Sequence, residues 1–317
     1  TKNMRPFPWD GPWRAGLRSG AIRGWRGFLW MMKLIVPLSL FTAFLAWSGF
    51  IERIDFVLQP VMKLLHLPAA AALPLLLGLL TGIYGGIAAM VVLPLDQAQM
   101  TVIAVFLLTA HSLIQEGIIQ DRSGLPLFRA TAVRLGAAVV TVLIVAPWIG
   151  STPVLPAGSA AAVSSVLFTE MLLAWAKTTA LLSLKIFVII MVLLMLLDVL
   201  KAMGWVEPLV GVLSPLLWLM GLDRKMGFLW LTAVLFGLTY GGAMIVEEAR
   251  SGSLRRADLE LLQMSIGIHH SIVEDPALFL SLGLSAFWLY VPRLVVAVVT
   301  VRLLRLWQGI GRPRSAA

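Results

Sequence analysis

His111-Ser112-Leu113-Ile114-Gln115-Glu116 and His270-Ser271-Ile272-Val273-Glu274-Asp275 are two versions of one polar motif in an otherwise apolar chain. Each follows a Tyr-Gly-Gly triplet, Tyr84-Gly85-Gly86 in the first case and Tyr240-Gly241-Gly242 in the second. The interval of about 155 to 159 residues also separates three pairs of flanking landmarks: Gly49 and Gly204, Pro60 and Pro215, and Arg134 and Arg293. The sequence therefore predicts two copies of one structural unit.

The composition places both copies in a membrane. Hydrophobic residues make up 59% of the chain, charged residues make up 13%, and the mean hydropathy is +0.92, whereas about a quarter of a soluble domain is charged. Residues 34–51, 67–95 and 226–246 carry no charge, and each stretch is near or above the length that crosses a bilayer. Cysteine is absent, which excludes disulfides, thiolate metal sites and cysteine nucleophiles.

The net charge of +9 lies beside the apolar stretches, so it predicts membrane topology rather than nucleic-acid binding. Residues 1–27 mix basic side chains with tryptophan, which is typical of a segment lying on an anionic cytoplasmic leaflet. The segment 151–169 has no Lys or Arg and is predicted to be an external linker, whereas the basic tail 310–317 is predicted inside. We therefore expect a bacterial inner-membrane protein with both termini in the cytoplasm.

The predicted fold is an all-α polytopic membrane protein with two repeats, residues 28–150 and 170–309. Each repeat should contain about three transmembrane helices, one of them broken at Tyr-Gly-Gly, plus a re-entrant hairpin and an interfacial helix. In the first repeat, 69–94 is taken as the broken span and 99–116 as a re-entrant half-helix. An odd number of crossings inverts the second repeat relative to the first. The basic loop 247–260 fits poorly, because this topology places it outside.

The polar motifs form the candidate binding site. Their binding residues are predicted to be His111, Ser112, Gln115 and Glu116 in one copy and His270, Ser271, Glu274 and Asp275 in the other. Residues four apart would share a helix face. Gly117 and Pro276 should end these helices, leaving each acid at a helix C-terminus that favours a cation or a hydrogen-bond donor. The alternative is that the polar groups pair with each other and fasten two hairpins together.

The Tyr-Gly-Gly triplets are predicted to line the same site, because glycines permit an unwound helix whose backbone groups face a solute. This assigns Tyr84, Gly85 and Gly86, and Tyr240, Gly241 and Gly242, to substrate binding. The alternative is close helix packing through small residues. Arg134 and Arg293 could each counter a site carboxylate, although snorkelling toward the headgroups is the favoured interpretation.

With these motifs in both repeats, residues 30–305 resemble the nucleoside-recognition, or Gate-domain, family. The family includes bacterial spore maturation proteins A and B, the gate regions of concentrative nucleoside transporters and the membrane part of the ferrous iron permease. The resemblance implies a pore or gate for a small polar solute or cation. The chain departs from the iron permease in having no GTPase domain and no cysteine, and the substrate signatures of the nucleoside transporters find no match.

No nucleotide-binding or HExxH motif is present, so we expect neither an enzyme nor a cofactor, apart from a coupling ion that stays open. Candidate metal ligands are His111, Glu116, His270, Glu274 and Asp275. The leading hypothesis is a permease-like protein in the lipid bilayer, either alone, as a homo-oligomer or with a membrane partner. The rival is a non-transporting component of an envelope or sporulation-type assembly. A third hypothesis, an intramembrane metal-dependent hydrolase, lacks a recognisable ligand spacing.

Overall fold

The computed structural model describes residues 11–150, 167–252 and 254–310, and within these ranges the chain is helical with no strand. The first half contains α1 (Pro12–Trp47), α2 (Phe50–Arg53), α3 (Asp55–Leu64), α4 (Ala72–Thr81), α5 (Ile83–Met90), α6 (Gln97–Thr109), α7 (Leu113–Arg122) and α8 (Leu127–Ile149). The second half contains α9 (Phe168–Ala202), α10 (Val206–Val212), α11 (Ser214–Met220), α12 (Gly227–Ser251), α13 (Arg256–Ile268), α14 (Glu274–Leu280) and α15 (Ala286–Ile310). Single 3-10 turns, Ala69–Ala71 and Arg224–Met226, precede α4 and α12. The all-α prediction is confirmed.

Several helices are long and apolar enough to cross a membrane. In the described part of the chain five segments qualify: Pro12–Trp47, Gln97–Arg122, Leu127–Ile149, Phe168–Ala202 and Ala286–Gln308. The pair Phe56–Leu64 and Ala69–Thr81 would make a sixth, but it is bent by 82°. The chain is therefore a polytopic membrane protein.

Two helices extend beyond the predicted bounds of the repeats. α1 runs unbroken from Pro12 to Trp47, so residues 12–27 of the predicted interfacial segment share one helix with the first span. α9 begins at Phe168, two residues before the predicted start of the second repeat. Residues 1–10, most of the linker (151–166) and the tail beyond 310 lie outside the described residues.

The broken span and the re-entrant hairpin of the first half were each predicted where the other lies. The chain turns back at Gly82, as short distances between α5 and α4 show: a Cβ on Gly86 would lie 3.5 Å from the Cα of Gly78 and 3.3 Å from the carbonyl oxygen of Pro74. α4 and α5 are thus two arms of a hairpin, and residues 69–94 do not cross. Residues 97–122 form the long broken segment instead, so the predicted half-helix 99–116 is wrong.

The basic loop near residue 250 lies on the same side of the molecule as the 3-10 turn before α12. Lys225 donates to Asp258 at 3.0 Å, and Arg255 donates to the same carboxylate from the other end of α12 at 2.9 Å. α12 is kinked at Gly237, which lets its two ends approach each other. The prediction that residues 247–260 lie on the opposite side of the membrane from Lys225 was therefore wrong. With both segments on one side, the basic residues of 247–260 no longer conflict with the rule that basic loops share the cytoplasmic side.

α1 and α9, the first helices of the two halves, pack along most of their length in opposite directions. Near one end a Cβ on Gly16 would lie 2.7 Å from the Cα of Val199, and farther along α1 a Cβ on Gly24 would lie 2.7 Å from the sulfur of Met191. Toward the other end, Trp175 donates to Ser39 at 3.0 Å. Small residues let the two backbones approach closely, as in other membrane helix pairs.

The two halves repeat one pattern of backbone departures from the right-handed region. Residues with positive φ recur at the interval of about 155 to 159 residues found in the sequence. The matched pairs are Gly49 and Gly204, His66 and Gly221, Gly82 and Gly237, Ser112 and Ser271, and Gly124 and Gly283. His66, Ser112 and Ser271 are not glycine, so at these sites the fold holds a conformation that side chains disfavour.

α6 and α13, the helices that carry the polar motifs, lie at the centre of the molecule. Every residue of α6 from Thr101 to Thr109 is buried, and so is every residue of α13 from Leu261 to Ile268. A helix buried on all faces needs apolar side chains all round, which is why neither segment shows a clear amphipathic pattern. The motif that ends each helix is thereby held deep inside the protein.

Candidate functional site

Each polar motif lies at a break between two helices. α6 ends at Thr109 and α7 begins at Leu113, with Ser112 left-handed at φ 45°; α13 ends at Ile268 and α14 begins at Glu274, with Ser271 at φ 50°. The prediction of one continuous helix through each motif is therefore wrong. Neither Gly117 nor Pro276 ends its helix, because both lie within the helix that follows the break.

The break reverses the expected position of the acids. Glu116 lies in the first turn of α7, and Glu274 and Asp275 lie in the first turn of α14. The acids therefore sit at helix N-termini and not at C-termini as predicted. The free N–H groups of a first turn carry partial positive charge, so the backbone of α7 favours an ionised Glu116.

The re-entrant hairpins and the broken spans are joined by matching backbone hydrogen bonds. Ser112 donates its backbone N–H to the carbonyl of Gly78 in α4 at 3.1 Å, and Ile272 donates to the carbonyl of Val234 in α12 at 3.0 Å. These carbonyls lie just before the breaks at Gly82 and Gly237, where the helical pattern stops. Backbone N–H groups at the motif breaks thus bond to the hairpins and position the two elements against each other, and the Gly78 carbonyl also accepts from the Gly82 N–H at 3.0 Å.

At the centre, both histidines converge on one carboxylate oxygen. Glu116 Oε1 lies 3.1 Å from His111 Nε2 and 3.2 Å from His270 Nε2, and the two Nε2 atoms are 3.3 Å apart. Their other ring nitrogens face main-chain carbonyls: His111 Nδ1 lies 2.8 Å from Leu107 O, and His270 Nδ1 lies 2.8 Å from Ile266 O. The two copies of the motif therefore meet in space, as the sequence predicted.

Two buried arginines contact the main chain and the carboxylate of this cluster. Arg134 is 1% exposed and Arg293 is 2% exposed. Arg134 donates to the carbonyl of His111 at 2.9 Å and pairs with Glu116 Oε2 at 2.7 Å, while Arg293 donates to the carbonyl of His270 at 2.6 Å. The favoured interpretation, snorkelling to the headgroups, is wrong for both. A buried cation needs partners at this depth, and carbonyls exposed by the helix breaks supply them.

The two acids at equivalent motif positions have different surroundings. Glu116 reaches Arg134, but Asp275 is one methylene shorter, and Arg293 has no carboxylate within 4.0 Å among the described residues. Asp275 Oδ1 instead accepts from Ser271 at 3.0 Å. Its Oδ2 is buried without a hydrogen-bond partner and lies 3.8 Å from His111 Nε2. The second half thus contributes a carboxylate oxygen that no arginine holds.

A third acid joins the first hairpin to the second motif. Tyr84 donates its hydroxyl to Glu274 Oε1 across the two halves. Tyr84 lies in the first turn of α5, so its ring leaves the hairpin close to the turn at Gly82. The predicted role of Tyr84 as a pocket residue agrees with this position.

These groups surround a cavity of ≈ 220 Å³. Its walls come from both halves: Trp30, Met31, Thr81, Gly82, Ile83, Tyr84, His111, Ser112, Gln115, Glu116, Gly237, His270, Ser271, Glu274 and Asp275. All eight motif residues and Tyr84 line the cavity, and their role in binding stays a prediction. The wall residues that were not predicted are Trp30, Met31, Thr81, Gly82, Ile83 and Gly237. A bulky Trp-Met pair in a span gives no signal of this kind.

The glycines of the first triplet do not line this cavity. Gly85 and Gly86 lie inside α5 with helical neighbours, and a Cβ on Gly86 would collide with Leu107 of α6. The alternative interpretation, close packing, fits this pair, and the backbone opens at Gly82 instead. Residues 240–242 lie within α12, and the side-chain environment of Tyr240-Gly241-Gly242 lies outside the described part of the chain.

A second connection between the halves was also missed. Gln120 of α7 donates to the carbonyl of Gln263 in α13 at 2.8 Å, and Gln263 donates its own amide to Ser123. All three residues are buried. Gln120 falls only one helical turn after Glu116, so its placement on the buried face could have been found from the helix period.

A polar cluster surrounds Asp258, which lies outside the candidate spans. Lys225 and Arg255 both donate to its carboxylate, and Arg305 and Gln308 line the adjoining cavity. Burial raises the pKa of Asp258, but the hydrogen bonds from Arg255 and Lys225 outweigh it, so the pKa lies below its usual value. This cluster gathers basic residues from three separate segments on one side of the molecule.

Fold and site together define a transporter-like integral membrane protein, with a buried ionisable pocket between two related halves. Comparison with known sequences agrees. The Gate family model, described as nucleoside recognition, matches residues 28–120, and the resemblance inferred from the motifs is confirmed over these residues. The chain is also similar to the uncharacterized membrane protein YvoD of Bacillus subtilis (strain 168), with 28% identity over 298 residues covering 93% of this chain and 94% of the relative. No solved structure matches significantly.

Proposed function

We propose that this protein is a permease of the bacterial inner membrane that moves a small polar solute or cation through the pocket between its two halves. The observation that carries the proposal is the cavity of ≈ 220 Å³ lined by His111, Glu116, His270 and Asp275. Ionisable groups at membrane depth are costly, and they mark pathways when they face a cavity. The proposal assigns no catalytic reaction to the cluster.

The proposal includes two repeats of inverted topology. Antiparallel packing of α1 and α9 supports this, because these helices begin the two halves. In such transporters the substrate site lies at the repeat interface and is formed by broken helices. The basic residues around Asp258 and at the end of α15 then face the cytoplasm, which also places both termini there.

Topology can be tested directly because the natural chain has no cysteine. A single cysteine introduced as Arg256→Cys should react with a membrane-impermeant maleimide only from the cytoplasmic side. Ser285→Cys, at the start of α15, should react only from the outside. Labelling of both positions from the same side would contradict the inverted arrangement.

Transport is tested in proteoliposomes containing the full chain. Uptake of nucleosides, divalent cations and small anions would be screened, and the active solute retested with the double variant His111→Ala/His270→Ala. We expect uptake to be lost in the double variant. His269→Ala is the matched control, because His269 is equally buried in the same segment but does not line the cavity. Unchanged uptake in the double variant would overturn the proposed route.

A second candidate is a non-transporting membrane component. It is favoured by the pairing of polar groups within the protein: Glu116 with Arg134, and Tyr84 with Glu274. In that case the double variant lowers stability, while the wild-type protein moves none of the solutes. The unpartnered oxygen of Asp275 is the observation that favours the permease over this candidate.

A further inference from the structure

We infer that the central pocket binds a divalent first-row transition-metal cation through His111, His270, Glu116 and Asp275. That this cation is also the transported solute rests on the proposed function; the binding site itself does not.

Both imidazoles are oriented by main-chain carbonyls. A carbonyl oxygen only accepts hydrogen bonds, so the Nδ1 atoms that lie 2.8 Å from Leu107 O and Ile266 O must carry protons. In a neutral imidazole the other nitrogen then presents a lone pair. Both Nε2 lone pairs are therefore directed into the pocket, where they meet the carboxylate oxygen of Glu116.

The side-chain atoms that meet in the pocket are all acceptors when both imidazoles are neutral. His111 Nε2, His270 Nε2 and Glu116 Oε1 lie 3.1 to 3.3 Å from one another, yet neutral imidazoles in this tautomer supply no hydrogen between them. Asp275 adds a fourth acceptor, Oδ2, which is buried and has no hydrogen-bond partner. Buried acceptors in contact need a shared positive species to be stable.

The distances match a tetrahedral metal site. Bonds of about 2.0–2.1 Å from zinc to imidazole nitrogen or carboxylate oxygen place neighbouring ligand atoms about 3.3–3.4 Å apart. The three atoms already lie close to this separation. Asp275 Oδ2 is 3.8 Å from His111 Nε2, and the candidate ligand atoms of His111, His270 and Asp275 lie within 4.8 Å of one another. A small side-chain movement of Asp275 closes the fourth position.

The supporting contacts are those that metal ligands commonly make. Ligating histidines donate their other ring N–H to a carbonyl or carboxylate, and ligating carboxylates are held by their second oxygen. His111 and His270 both face main-chain carbonyls in this way. Glu116 keeps Oε1 in the pocket while Arg134 holds Oε2. The ligands are therefore oriented before any cation arrives.

Ligand type selects the class of cation. Two imidazoles with two carboxylates suit zinc, iron or manganese, whereas magnesium and calcium prefer oxygen ligands alone. Cuprous ion prefers sulfur, and the cavity walls offer Met31 as their sole sulfur residue among the described residues.

The test uses the full chain in detergent with Co²⁺ as the probe. Four-coordinate Co²⁺ absorbs visible light far more strongly than six-coordinate Co²⁺, so its spectrum reports the geometry of the site. We expect one tightly bound Co²⁺ with a four-coordinate spectrum that Zn²⁺ abolishes by displacement. Absence of that spectrum in the wild-type protein would overturn the inference.

Variants locate the ligands. His270→Ala and the nearly isosteric Asp275→Asn should each weaken Co²⁺ binding. Loss of a contact outside the ligand shell costs about 10–100-fold in metal affinity, and loss of a ligand should cost at least as much. His269→Ala should bind as the wild type does. Equal loss in His269→Ala and His270→Ala would overturn the assignment, and Asp275→Asn keeps the test valid if His270→Ala does not fold.

The outcome separates the two proposals. Metal binding without uptake of Zn²⁺ or Mn²⁺ in proteoliposomes supports the metal site and overturns transport of the metal. Uptake of another solute by a protein that shows no Co²⁺ spectrum overturns the metal site and supports the permease.

Discussion

The pairing of Glu116 with Arg134, and its absence between Asp275 and Arg293, gives a quantitative prediction. We would make Glu116→Gln, Arg134→Met and the double variant, and repeat the cycle with Asp275→Asn and Arg293→Met. The two cycles occupy equivalent positions of the repeat. They therefore compare the same side-chain types against nearly the same backbone.

The expected magnitudes follow from the geometry. Glu116 and Arg134 are 2.7 Å apart and almost fully buried, so Arg134→Met leaves an unpaired buried charge and should cost about 3–5 kcal/mol. The coupling energy of this pair should reach about 2–3 kcal/mol, at the upper end for residues in direct contact. Arg293 has no carboxylate within 4.0 Å in the described chain, so the second cycle should give about 0.5 kcal/mol.

The assay is reversible unfolding in mixed detergent micelles, followed by tryptophan fluorescence at constant pH. Each cycle cancels the loss of the arginine hydrogen bonds to carbonyls, because those bonds are removed in both the single and the double variant. Equal coupling energies in the two cycles would refute the claim that the acids have different roles. A coupling below about 0.5 kcal/mol for Glu116 and Arg134 would refute the buried ion pair.

Three further predictions concern stability. Gly20→Leu should lower the free energy of unfolding by about 1–3 kcal/mol, because a Cβ at Gly20 would lie 2.6 Å from the carbonyl oxygen of Leu194. Gly27→Ala should leave the free energy of unfolding unchanged in the same assay, because a Cβ at Gly27 would have no neighbour within 4 Å. Gly82→Ala should cost about 1–3 kcal/mol from backbone strain and more than Gly237→Ala, since only at Gly82 would the Cβ also meet Ser112 Oγ, at 2.6 Å; equal unfolding midpoints would contradict this. Because the pKa of Asp258 is lowered in the folded protein, its stabilisation is present above about pH 4 and is lost as pH falls through the folded pKa. Its cationic partners are exposed, so the effect should be no more than about 1 kcal/mol, and Asp258→Asn should flatten the pH dependence of the melting temperature below about pH 4; an identical slope in variant and wild type would count against it.

The sequence predicted the repeat and most of the pocket because both depend on rare residues at matched intervals. His111 and His270 could be assigned to one site from their spacing alone. The exchange of hairpin and broken span could not be found in this way. Residues 67–95 are uncharged and long enough to cross the membrane, whereas residues 97–122 contain Gln115 and Glu116. The sequence therefore favoured 67–95 as the span, but the turn at Gly82 makes that segment the hairpin, and burial of the polar motif allows 97–122 to be the span.

The role of the arginines was also hidden from the sequence. An arginine that snorkels to the headgroups and an arginine that is buried look the same in the sequence of a span. Which of the two occurs depends on whether a carbonyl or a carboxylate lies within reach of the guanidinium group. One partner of Arg134 is the main-chain oxygen of His111, which the break exposes, and the sequence had predicted a continuous helix there. Once the break is known, the buried arginine follows from the need to satisfy that carbonyl.

The missing methylene at Asp275 has a consequence for how such a pocket can arise. In a symmetric dimer of one half, every copy would carry the same acid, so both carboxylates would be held by arginine or both would be left free. A single chain that contains both halves is not bound to this symmetry, because each half can be substituted alone. Glu116 can remain paired with Arg134 while the Asp275 carboxylate stays available to a ligand, and this difference requires the two halves to be encoded separately.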